Sequence, residues 1–98
     1  MDIDAFKTSV THDAPPVGLS LALQALWQDA KGNWDTAHEL AQAHKDETGA
    51  WVHAYLHRVE GDLSNADFWY ARAGRARPEC GTDEEWTSIA TELLERGG

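Results

Sequence analysis

The chain contains one cysteine, three prolines and only eight basic residues against seventeen acidic ones. The single thiol, Cys80, excludes an intramolecular disulfide and a cysteine-based zinc site. It stands among Glu79, Asp83 and Glu84, surroundings that disfavour a reactive thiolate, and reads as a small loop residue. The longest apolar run, "LSLALQALW", is interrupted by Ser20 and Gln24 and falls well short of the ~20 residues that span a bilayer, so no membrane association is expected. "MDIDAFKTSV" at the N-terminus is acidic and lacks the apolar centre of a secretory signal, which leads to the expectation of a cytoplasmic protein. A formal charge of −9 argues against general binding to a phosphate backbone, and no nucleic-acid partner is expected. Alternating runs of Val, Ile or Thr are missing, so strands are not expected. There is no Gly-rich phosphate loop, and the Ser and Thr near His12 ("SVTH") have no accompanying triad or oxyanion motif. Nothing points to catalysis, and no cofactor is expected.

What is present is helical spacing. With 98 residues the chain forms one domain with a single modest core. Residues 1–14 are an N-terminal extension in which Ile3, Phe6 and Val10 hint at a short helix. A first full helix is expected to start at Pro15 or Pro16 with Asp13 as cap, and to stop at Gly32. Asn33 then caps "WDTAHELAQAHK", Thr48 or Asp46 caps "AWVHAYLHRVE", and Asp62 opens "LSNADFWYARAGRA", which ends before Pro78. Thr82 and Glu85 have the spacing of a capping box for a last helix reaching Arg96. Its Trp86, Ile89, Ala90, Leu93 and Leu94 make one apolar stripe.

A shift of 29 residues lays "AKGNWDTA" over "VEGDLSNA", pairing Gly32 with Gly61, Asn33 with Asp62 and Ala37 with Ala66. Each copy reads as helix, Gly-Asx turn, helix, the signature of a helical repeat. Gly61, Asp62, Ala66, Tyr70, Ala73, Pro78 and the small Ala54 resemble the tetratricopeptide pattern, and "NADFWYARAG" is similar to its Sel-type relative. "HAYLHRVEGDLSNADFWYARAGR" is also similar to a block in small uncharacterised bacterial proteins, a likeness that brings no mechanism. The resemblance covers about residues 19 to 78. It implies an all-α fold of two antiparallel helix hairpins (16–45 and 48–77) in a right-handed superhelix, closed by a capping helix at 82–96. It also implies a scaffold that binds a protein or peptide, with the first helix of each hairpin lining a concave groove. Two hairpins are fewer than such arrays need, so the flanking helices act as caps or a homodimer continues the solenoid.

On a wheel, Trp51, Val52, Tyr55, Leu56 and Val59 form a wide apolar arc, with His53, His57 and Glu60 opposite. Their equivalents 29 residues earlier are Gln24, Gln28 and Lys31, and these six are the candidate partner-binding row. His53 and His57 at i and i+4, with Glu60, are also weak metal ligands, the basis of an alternative reading as a small metal- or anion-binding enzyme or sensor. That set lacks the Glu that follows the first His in the usual catalytic zinc motif, and a site on one exposed helix would lack supporting groups. His12, His38 and His44 are scattered and suggest no ligand set, and His38 and His44, in the second helix, read as surface residues. Arg58, at the rim of the arc, needs a carboxylate, for which Asp62 or Asp67 is expected. Trp69 and Tyr70 are expected in the core. Phe68, Arg72 and Arg75 are expected outside, as the seat of the acidic last helix.

Overall fold

The computed structural model describes residues 1–97 and places six α-helices in them, with no strand among the described residues. They are α1 (Ile3–Ser9), α2 (Leu21–Ala30), α3 (Trp34–Ala43), α4 (Glu47–Glu60), α5 (Leu63–Arg72) and α6 (Thr82–Glu95). None of the helices is long and apolar enough to cross a membrane. Local chemistry explains most of their boundaries. Asp2, Ser20, Asp46 and Asp62 each place a side-chain oxygen on a free backbone N–H of the first turn that follows, at α1, α2, α4 and α5. Gly32 and Gly61 end α2 and α4 with φ of +85° and +91°, a left-handed conformation costly for residues with a Cβ. At both turns the amide after the glycine reaches back five residues, Asn33 to the Gln28 carbonyl and Asp62 to that of His57, each at 2.9 Å. These bonds satisfy carbonyls that the helix end would otherwise leave unpaired.

Two sequence expectations change here. α2 begins at Leu21 with Ser20 as its cap, and Pro15 and Pro16 lie before it in an irregular segment. Gly18, with φ +87°, breaks the path between the prolines and the helix. No capping box forms at α6 either. Its N-cap is Gly81, because Glu85 turns away from the helix end to bind groups on α4 and α5.

α4 is the hub, packing against α2, α3, α5 and α6. Trp51 through Leu56 and His57 are all buried, so no side of its central two turns faces water. The approach to α3 is close enough to fix a residue type: a Cβ at Gly49 would lie 1.7 Å from the His44 carbonyl oxygen. Three indole N–H groups tie the remaining helices together. Trp34 donates to the Leu56 carbonyl (2.8 Å), Trp86 to the Leu26 carbonyl (2.9 Å) and Trp27 to the Ser9 hydroxyl (3.2 Å). Trp86 also stacks on Phe6, which seats α1 on α6. Each of these rings buries a large apolar body while its polar edge is satisfied.

The buried polar centre is Glu85, only 3% exposed. One carboxylate oxygen accepts from Arg58 at 2.7 Å, and the other from the Tyr70 hydroxyl at 2.6 Å. Arg58 donates further to the Cys80 carbonyl. The sequence pointed to Asp62 or Asp67 as partners of Arg58; instead Asp62 caps α5 and Asp67 pairs with Arg77. α6 crosses α4 and delivers Glu85 from 27 positions away, a carboxylate that needs burial to be worth more than a surface neighbour. Removing it should strand Arg58 in a half-buried site. Glu85→Ala is expected to lower unfolding stability in urea by about 3 kcal/mol. Glu92→Ala, which removes an exposed partner of Arg75 and Arg96, should lower it by less than about 1 kcal/mol. Equal losses would show that Glu85 is not the anchor of α6.

Candidate functional site

His53 and His57 stand one helical turn apart on α4, and α3 lays His38 against them. The three imidazoles form a cluster, with ring centroids 4.5 Å (His38–His53), 4.8 Å (His53–His57) and 5.2 Å (His38–His57) apart. One ligand nitrogen from each falls within a common distance of 4.8 Å. Aromatic rings wall the cluster on two sides. Trp34, one turn before His38, stacks on it at 5.0 Å, and Trp69 from α5 stacks on His53 at 4.0 Å with planes 17° apart. Trp34 also meets His57 edge-on at 6.0 Å. Three consecutive helices therefore build the site, with Trp34 itself pinned by its bond to the Leu56 carbonyl.

Two readings of the sequence are corrected by this arrangement. His53 and His57 are buried, 3% and 6% exposed, and do not form a solvated stripe. A wheel drawn for α4 alone cannot show that α3 and α5 cover its polar side. His38 is no isolated surface residue but the third member of the cluster. Trp69 is half-buried and packs on the edge of the core, its ring face taken by His53, while Tyr70 is buried as expected. His44, also expected on the surface, is half-buried and joins two helix starts. Its Nδ1 accepts from the Ala22 amide and its Nε2 lies 3.2 Å from Asp46, the α4 cap.

Hydrogen bonding within the cluster is uneven. His57 Nδ1 sits 2.6 Å from a Glu60 carboxylate oxygen, which orients the ring and leaves Nε2 for another partner. Among the described residues His38 and His53 make no side-chain hydrogen bond. No fully enclosed side-chain nitrogen or oxygen lacks a partner, so the nitrogens of these two rings keep a small opening to solvent. His53 borders a groove of about 820 Å³ between the C-terminal end of α3, the start of α4 and α5, lined also by Trp69, Arg72, His44 and Glu39. Burial, and then the neighbouring His38 and His57, push the pKa of His53 down to about 4. Burial and His57 also lower that of His38, against the opposing pull of Glu60, Asp35 and Glu39. Both rings are thus neutral at pH 7, with lone pairs free.

The remaining members of the predicted row lie apart. Gln24 donates to the Leu19 carbonyl, Gln28 accepts from Asn33, and Lys31 extends over the Trp27 ring. No hydrogen bond or ring contact among the described residues joins them to His53 or His57. Glu60 does belong to the site, as the carboxylate on His57. A second grouping, His57 with Glu60 and Asp62, also brings ligand atoms within 4.8 Å, but both carboxylates are exposed.

Comparison with protein-family models, with curated proteins and with solved structures finds no match to this chain.

The lowered pKa of His53 sets a sign for pH dependence. Folded, the ring holds its proton less tightly than in the unfolded chain, so folding is favoured above the ordinary value of about 6.5 and weakens as pH falls toward 4. In metal-free protein the His53→Gln variant is expected to lose part of the stability decline between pH 6.5 and 4, which for one proton approaches about 1.4 kcal/mol per pH unit. Parallel stability curves for the variant and the parent, measured by urea unfolding at several pH values, would contradict the buried neutral imidazole.

Proposed function

We propose that this chain is a small helical metal-binding protein that holds one divalent transition-metal ion on His38, His53 and His57. The observation that carries the reading is the convergence of three imidazoles beside two indole rings, two of the three without a hydrogen-bond partner. Ring nitrogens with no protein partner and only a small opening to solvent are free to take a ligand from outside. Imidazole suits Zn, Cu, Ni and Fe. A tetrahedral ion with metal–nitrogen bonds of ~2.0–2.1 Å holds its nitrogens roughly 3.3 Å apart. Ligand atoms within 4.8 Å reach that spacing by modest side-chain rotation. Glu60 on the far nitrogen of His57 is the kind of outer carboxylate that fixes a ligand's ring and raises its basicity. Three protein ligands leave a coordination position open, the arrangement of sites that use the ion as a Lewis acid rather than as a staple.

A partner-binding reading keeps one observation of its own. α5 carries the exposed apolar residues Leu63 and Phe68, and Val59 near the end of α4 is exposed as well. In this reading the two Gly-Asx hairpins form a tetratricopeptide-like right-handed superhelix capped by α6, with a protein or peptide on the open face. The matching backbone bonds at Gly32 and Gly61 support it.

Titration of EDTA-treated protein with Zn(II) and Co(II) tests the metal site. One equivalent should bind with micromolar or tighter affinity and perturb tryptophan fluorescence, since Trp34 and Trp69 lie on the ligand rings. His38→Asn and His57→Asn should each abolish stoichiometric binding, and Glu60→Gln should weaken it about 10–100-fold, with helical circular dichroism retained. Absence of saturable binding, or a His38→Asn protein that binds like the parent, would defeat the proposal.

A further inference from the structure

We infer that the groove beside the cluster takes a small organic monocarboxylate as the fourth ligand of the bound metal, with Arg72 supplying the counter-charge. The inference rests on the metal reading above and adds the class of molecule that the open position accepts. Its starting point is an arginine left over. Arg58 pairs with Glu85, Arg75 and Arg96 with Glu92, and Arg77 with Asp67. Among the described residues Arg72 alone of the five arginines has no carboxylate partner, in a chain with seventeen acidic residues. It is nevertheless held in place, with its guanidinium 5.3 Å from the Trp69 ring centre and 5.6 Å from that of Phe68. Cation–π contacts of this kind position the group without neutralising it.

The placement brings Arg72 to the same groove as one of the three proposed ligands, His53. Trp69 lies under Arg72 and stacks directly on His53, and all three side chains line the same groove. A guanidinium fork fits the two oxygens of a carboxylate, and one of those oxygens can pass to the metal. The other charges on the groove wall decide the class. Lys45 adds a second cation, while Glu39, Asp46 and Glu47 are carboxylates, of which Asp46 is occupied at the α4 cap and His44. With a dication on the imidazoles the wall carries a small excess of positive charge, enough for a monoanion and poorly suited to a dianion such as phosphate. A volume of about 820 Å³ leaves room for an organic body behind the carboxylate.

The experiment uses the full chain loaded with one equivalent of Co(II), followed by its visible spectrum. Sodium benzoate should change the cobalt bands saturably. Arg72→Gln, a substitution at an exposed position, should raise the benzoate Kd about tenfold or more while cobalt affinity stays within about twofold of the parent. A cobalt spectrum indifferent to benzoate, an unchanged benzoate Kd in Arg72→Gln, or tighter binding of inorganic phosphate than of benzoate would each overturn the carboxylate assignment while leaving the metal site standing. Failure of Co(II) to bind at all would instead remove the metal reading and this inference with it.

Discussion

The enclosure of α4 governs the rest of the molecule. A helix wrapped by four others has no wet side on which to place a polar residue, so every polar group along its middle must find a partner inside the protein. Tyr55 donates to Asp29 of α2 (2.9 Å), and burial raises the pKa of both groups. Arg58 receives Glu85 from α6. The polar residues of α4 thus act as docking points that specify which helix lies on which side. Small residues make the enclosure possible: Gly49 and Ala54 on α4, Ala37 and Ala41 on α3 and Ala66 on α5 are buried, and allow backbones to approach.

Against that pattern the histidine cluster is the exception. Elsewhere the indole N–H groups of Trp27, Trp34 and Trp86, the two tyrosine hydroxyls and Arg58 have protein partners, whereas His38 and His53 meet only rings. Three imidazoles gathered in one place, two of them with no protein partner for their nitrogens, are the feature on which the metal-binding proposal rests. Under that proposal the groove matters because it borders His53.

Charge follows a similar logic. Two of the four arginines between positions 58 and 77 meet acids of the last helix across the fold, Arg58 with Glu85 in the interior and Arg75 with Glu92 at the surface. Arg75 also lies over the Trp51 ring, 3.4 Å from its centre. These contacts seat α6, as the sequence asymmetry suggested, but through α4 rather than through Phe68, which stays exposed. Arg72 is left facing the groove, and its lack of a carboxylate gives that surface its character.

Short-range chemistry was legible in the residues themselves. Asp46 and Asp62 as caps, Gly32 and Gly61 as left-handed stops, the absence of strands and the apolar stripe of α6 all depend on neighbours within one or two turns, where backbone geometry and side-chain reach decide the outcome. Ser20 rather than Asp13 as the cap of α2 was a near miss of the same kind, settled by the turn at Gly18. What the residues could not disclose is anything that depends on a second helix. Whether the His face of α4 is wet, which carboxylate reaches Arg58, and that His38 joins His53 and His57 across 15 and 19 positions are decided only when α3, α5 and α6 close around α4, because a helical wheel orders side chains about one axis and carries no information about what packs against it.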